Sequence, residues 1–120
     1  MGAANYGHER VVDLLLRHGA EINLQNSGGG TALTYAAYYG HERVVDLLIR
    51  RGADVNLQSS DGVTALMCAP DHGHPAVVLH LLRAGADAAL CSASGRTALQ
   101  YAKEEGHAEC VRALEEHAAA

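Results

Sequence analysis

The chain contains no Trp and no Phe, and its five Tyr are its only aromatic residues. A single large core usually leans on such bulky side chains. A chain of 120 residues without them is better suited to many small Leu, Val and Ala contacts between packed units. Cysteine is scarce as well. Cys68, Cys91 and Cys110 are odd in number and widely separated, which excludes a disulfide framework and reads as reduced thiols in a cytoplasmic or nuclear protein. Positive charge is thin: nine Lys and Arg stand against fourteen Asp and Glu, for a formal charge of -5 and a pI near 5.8. Nucleic acid and anionic membrane both reward clustered Lys and Arg, so neither is expected as a partner. No apolar run approaches the roughly 18 residues that a membrane span needs. The start MGAANYGHER is no signal peptide, and Tyr6 stands where a myristoylation start would carry Ser or Thr.

What is present is periodicity. The pair Gly-His occurs as Gly7-His8, Gly40-His41, Gly73-His74 and Gly106-His107, each 33 residues after the last. Gly19-Ala20, Gly52-Ala53 and Gly85-Ala86 keep the same interval, as do the Thr-Ala-Leu triplets that begin at Thr31, Thr64 and Thr97. Three features in one register define a tandem array. It divides into an incomplete unit at 1-25, full units at 26-58 and 59-91, and a closing unit at 92-120. The first unit lacks the Thr-Ala-Leu opening, as expected of an array cut inside a longer one. In the last, Ala113 and Glu115 replace Leu47 and Ile49, and Ala118 falls where a Gly is due, the polar finish expected of a terminal cap.

Local signals fill in each unit. Thr31 is a good N-cap, because its hydroxyl can accept from an orphan N–H of the following turn. The pattern predicts a short helix over about 32-39 that ends at Gly40, then a second over about 42-51, whose apolar face is Val44, Val45, Leu47, Leu48 and Ile49. Gly52 ends that helix, and Asp54-Val55-Asn56 lead into a loop with its tip at Ser59-Ser60-Asp61-Gly62. Helices this short do not persist alone in water, so each must be held by its neighbours. The third unit reads as the strained one. Pro70 stands well inside its first helix, predicting a shortened or kinked element; Leu79-His80 invert the Asp46-Leu47 pattern; and Ala89 takes the slot of Asn23 and Asn56. Pro75, at the start of a second helix, is tolerated.

The Thr-x-Leu, Ala-Ala, Gly-His, Val-Val-x-Leu-Leu and Gly-Ala-Asp-Val-Asn signatures resemble those of the ankyrin-repeat family over nearly the whole chain. The resemblance implies an all-α solenoid of stacked helix-turn-helix units, with hairpin-like projecting loops and first helices lining a concave face. One departure recurs. Where that family has Thr-Pro-Leu-His, this chain has Ala32, Ala65 and Ala98 for Pro, and Thr34, Met67 and Gln100 for His. A preset first helical φ and a bracing Thr–His hydrogen bond are thereby lost, predicting a less stable array.

Catalytic and metal chemistry find little support. The four Gly-His histidines fall one per unit, about 10 Å apart if the helices pack normally, whereas zinc gathers its ligands at about 2 Å from one centre. The resemblance gives them a structural, hydrogen-bonding role. Cys68 and Cys110 occupy the apolar slots of Tyr35 and Val44 and read as core, Cys91 as an exposed loop thiol. Gly28-Gly29-Gly30 lacks the Lys of a phosphate loop and reads as a flexible finger. No cofactor, metal or catalytic residue is expected.

The resemblance turns the last two residues of each first helix, and the loop tips, toward a ligand. The helix-end residues are Asn5 and Tyr6, Tyr38 and Tyr39, Asp71 and His72, Glu104 and Glu105. The tips add Ser27, Gly28 and Gly30, then Ser60, Asp61 and Val63, then Ala93, Ser94 and Arg96. This row is aromatic at one end and acidic at the other, and Tyr is enriched at binding hot spots. The expected function is a protein-protein interaction module whose partner is a protein or an extended peptide carrying a basic residue. The alternatives are a spacer array and a reader of modified lysine caged by Tyr6, Tyr38 and Tyr39. Asn23 and Asn56, each with a Leu eight residues upstream (Leu15 and Leu48), also resemble substrates of an asparaginyl hydroxylase, beyond their default role in bracing the loops.

Overall fold

The computed structural model describes residues 22-25, 27-71 and 73-119, apart from the side chains of 70, 71, 118 and 119. Among the described residues six helices are arranged as three consecutive pairs: α1 (Ala32–Tyr38) with α2 (Glu42–Arg50), α3 (Ala65–Asp71) with α4 (Pro75–Arg83), and α5 (Ala98–Glu104) with α6 (Ala108–Ala119). First helices stack on first helices, α1 on α3 on α5, and second helices form a parallel layer, α2 on α4 on α6. The described part is therefore an all-α stack of helix-turn-helix units.

The repeat interval makes the core a set of ladders. Ala36, Ala69 and Ala102 are fully buried in one slot of the first helices, where the small side chain lets the helices approach closely. Val44, Val77 and Cys110 form a second ladder, and Leu48, Leu81 and Leu114 a third, all in the second helices and all buried. Each buried Leu or Val contributes about 1.5–3 kcal/mol. Helices pack both on their partner within the unit and on those of the next unit, so part of this burial exists only in the stack. The turn after each first helix repeats too. Gly40 adopts φ +71, its N–H donates to the Ala37 carbonyl at 3.3 Å, and the His41 N–H reaches back to the Ala36 carbonyl at 2.9 Å, a Schellman closure. Past Ala118, in the slot of Gly52 and Gly85, α6 runs on to twelve residues against nine in α2 and α4.

Four expectations need correction. First, the bracing bond lost with His is replaced in two of three units. The Thr31 N–H donates to Thr34 Oγ1 at 2.7 Å and the Thr97 N–H to Gln100 Oε1 at 2.9 Å, while each Thr hydroxyl accepts from the N–H three residues on, closing a capping box. Only Met67, which is buried, cannot answer Thr64 in this way. Second, Pro70 does not shorten its helix: α3 spans the same seven residues as α1 and α5. Pro70 forfeits one i→i−4 bond, but the Schellman bond from the His74 N–H to the Ala69 carbonyl, 2.9 Å, survives, and α1 and α3, like α3 and α5, are packed face to face.

Third, the inverted Leu79-His80 pair produces a contact in place of strain: His80 Nε2 donates to Glu42 Oε1 at 3.0 Å, tying α4 to α2. Among the described residues no side chain other than glycine is held at positive φ. Fourth, the glycine finger is tied down. The Gly28 carbonyl accepts from both the N–H and the hydroxyl of Ser60, each at 3.0 Å, and a Cβ on Gly29 would lie 2.8 Å from the Ser59 Cα.

Candidate functional site

The loops are coupled to one another as closely as the helices are. The Asn23 Oδ1 accepts from the Asp54 N–H at 2.8 Å, and Asn56 Oδ1 from the Asp87 N–H at 2.7 Å, one repeat on. The Gln25 amide donates to the Gly29 carbonyl of its own loop, 2.9 Å, and to the Gln58 carbonyl of the next, 3.1 Å; Gln58 repeats this with Gly62 and Cys91. Asn23 and Asn56 are thus joints between units. Their exposed side chains are engaged through the amide oxygen.

Between these loops and the first helices lies an open cleft of about 270 Å³. α1 contributes Thr34, Tyr35 and Tyr38, one helical face at spacings of three and four; α3 contributes Cys68; and the loops contribute Gly28, Gly30, Ser59 and Val63. The lining is mainly apolar. Of the expected contact residues, Gly28, Gly30, Tyr38 and Val63 line the cleft, and Ser60 and Asp61 are exposed beside it on the loop that grips Gly28. Tyr39 is exposed and is not part of the lining. Its ring meets Tyr38 edge-on at 4.8 Å between centroids and stacks on His41 at 6.2 Å.

At the far end Arg96 Nε donates to Glu104 Oε1 at 3.0 Å, so these two expected contact residues meet each other, and Glu105 is exposed alongside. Asn5, Tyr6 and His72 lie outside the described residues, as does the side chain of Asp71. So does the third wall of an aromatic cage, which would be Tyr6.

Sequence reasoning missed Thr34, Tyr35, Ser59 and Cys68. Thr34 and Tyr35 were legible as the residues one turn before Tyr38. Cys68, read as core, packs against it but is half-buried at the cleft wall, as Tyr35 and Tyr101 are in the same slot. In the last unit Tyr101 reaches its loop, donating its hydroxyl to Ser92 Oγ at 2.9 Å. Cys110, by contrast, is buried, and that burial, helped by the negative charge of Glu109, pushes its thiol pKa up. A protonated, enclosed thiol is a poor nucleophile.

Two of the Gly-His histidines, His74 and His107, act between units. The ring of His74 rests on Gly40, where an added Cβ would come within 2.5 Å of it, and His74 Nε2 donates to the Tyr38 carbonyl at 3.1 Å. His107 sits over Gly73 in the same manner, 3.0 Å from where a Cβ would lie. These two rings fill the notches behind the Gly40 and Gly73 turns, whereas nothing lies within 4 Å of a Cβ placed on Gly106. With the geometry in place, the comparison with known families is decisive: the pattern of the family described as Ankyrin repeats (3 copies) matches residues 1-90 and 71-120. The chain is an ankyrin-repeat protein. No curated protein matches it as a relative. Ankyrin repeats are scaffolds that contact other proteins, not catalysts, and among the described residues no three His, Cys, Asp or Glu side chains gather where a metal ion would sit.

Proposed function

We propose that this ankyrin array binds a partner protein along the face formed by its first helices and loop tips, centred on Tyr38 and the cleft beside it. The observation that carries this reading is the cleft: a largely apolar hollow held open between hydrogen-bonded loops and packed helices, with an exposed Tyr at its edge. Tyr offers a large contact area at small entropic cost, and a hollow already formed spares the partner the cost of ordering it. Charge on the same face favours a basic partner. Asp61 and Glu105 are exposed, and the one cation in this row, Arg96, is taken up by Glu104.

The test is the double variant Tyr38→Ala, Tyr39→Ala, used as bait in a cell lysate beside the wild type. Loss of captured partner with an unchanged circular dichroism spectrum is the expected result. Undiminished capture would move the binding surface elsewhere and leave this face a spacer.

A further inference from the structure

The cleft lies where two repeat slots hold their smallest residues. Residues 30, 63 and 96 are equivalent across the array, as Gly, Val and Arg; residues 35, 68 and 101 are equivalent, as Tyr, Cys and Tyr. The sister units carry larger side chains in both slots, Val63 and Arg96 in the first, Tyr35 and Tyr101 in the second. Arg96 reaches Glu104 and Tyr101 reaches Ser92, so those two slots are filled in the last unit. At the joint between the second and third units, both small members, Gly30 and Cys68, face the same hollow. With both residues small, the hollow they share measures about 270 Å³.

That volume decides the size of the occupant. A cavity of about 150 Å³ holds benzene, while pockets for drug-sized ligands start at about 300 Å³, so this one suits a single large side chain. The rim decides what lies next to it. Ser60 clasps the Gly28 carbonyl at the mouth of the hollow, which brings its neighbour Asp61 to the edge, exposed and without an ion-pair partner among the described residues. The two flanking loops are paired through the Ser60 N–H to the Gly28 carbonyl, 3.0 Å, and the Asp61 carbonyl accepts from Ala93 N–H of the following loop, 2.8 Å, so the rim is set before anything binds.

We infer that the hollow framed by Gly30 and Cys68 is an anchor pocket for one large apolar side chain, Leu, Met or Phe, of an extended partner segment that carries Lys or Arg within a few residues of it. This rests on the binding face proposed above and adds its specificity. Gly30 and Cys68 act by being small; Tyr35, Tyr38 and Val63 supply the apolar walls; Asp61 meets the cation.

A phage-displayed library of random twelve-residue peptides, panned against the full chain, tests it. Enriched peptides should pair an apolar residue with a nearby Lys or Arg. A labelled enriched peptide should bind at least about tenfold more weakly to Gly30→Val and to Cys68→Tyr, each of which installs a side chain that a sister unit already carries, and Asp61→Asn should weaken binding and flatten its salt dependence. Replacing the apolar residue of the peptide by Ala should match the loss seen with Gly30→Val. Where a filled variant unfolds, peptide-induced shifts of the Thr34, Val63 and Cys68 amide resonances in the wild type take its place, and unshifted amides overturn the pocket.

Equal binding to both filled variants, with binding lost in Tyr38→Ala, Tyr39→Ala, overturns the pocket and leaves the face standing. Indifference to all of these variants, or no enriched peptide, overturns both. A concentration-dependent dimer that Gly30→Val abolishes assigns the hollow to a second copy of the chain and overturns the peptide.

Discussion

Gly40 and Gly52 sit in the same left-handed backbone region, at φ +71 and +92, yet an added methyl group would find different surroundings. At Gly52 nothing lies within 4 Å; at Gly40 the His74 ring is 2.5 Å away. Both Ala substitutions bear a backbone cost of about 1–2 kcal/mol, and only Gly40→Ala adds a clash worth about 1 kcal/mol or more. Urea denaturation should therefore separate the two, and placing both in a His74→Ala background should close the gap. Equal losses in the wild-type background would show that the ring yields freely. The cysteines differ in the same way. Thiol reagents should modify exposed Cys91 first, Cys68 next and buried Cys110 last. Because burial raises the Cys110 pKa, the folded chain keeps that proton where the unfolded chain releases it, above about pH 8.5, so stability falls as pH rises beyond that point. Cys110→Val, the residue of its sister slots, should lessen the fall between pH 7 and pH 10, read from urea midpoints. That Cys68 and Cys110 differ was not legible in advance, since both occupy slots that are apolar in the repeat pattern. What separates them is the slot: that of Cys68 is half-buried in every described unit, as Tyr35 and Tyr101 show, while that of Cys110 is enclosed in every one, as Val44 and Val77 show.

The helices owe their boundaries to a few end residues and their persistence to neighbours. Thr31→Ala removes the hydroxyl that caps α1 and should cost about 1 kcal/mol in an unfolding titration. A neutral result would mean that packing against α3 alone holds the end in place. Capping Thr and stopping Gly were both readable along the chain, because their chemistry acts within one turn of where they stand. The reply from Thr34 and Gln100 was not, since a capping box needs the side chain to swing back onto the N-cap N–H. Pro70 shows the limit of local reasoning more sharply. In isolation its helix should break, yet α3 keeps the span of its sisters because it lies between α1 and α5. The missing hydrogen bond is still absent, so Pro70→Ala should raise stability by up to about 3 kcal/mol. No gain would mean that α3 has already relaxed around the ring.

Across the whole molecule, coupling between units runs along two paths, the apolar ladders of the helices and the side-chain bridges of the loops. In such an array, stability is close to a sum of unit and joint contributions, so weakening one joint should be felt on both sides of it. Asn56→Ala leaves the Asp87 N–H without its partner and should quicken exchange of that amide several-fold, while the Asp54 amide, held by Asn23, is unaffected. Equal protection in the variant would place the bridge outside the coupling. The interval of 33 residues, the paired helices and the apolar ladders were all evident from the order of amino acids alone, because periodic burial imprints itself on every unit. Where the hollow lies was not evident, although the two small residues that make it are plain to see. Gly30 and Cys68 belong to different units, 38 positions apart, and become opposed only when one unit stacks on the next. A repeat pattern states what each unit shares. Which gaps coincide depends on the packing between them.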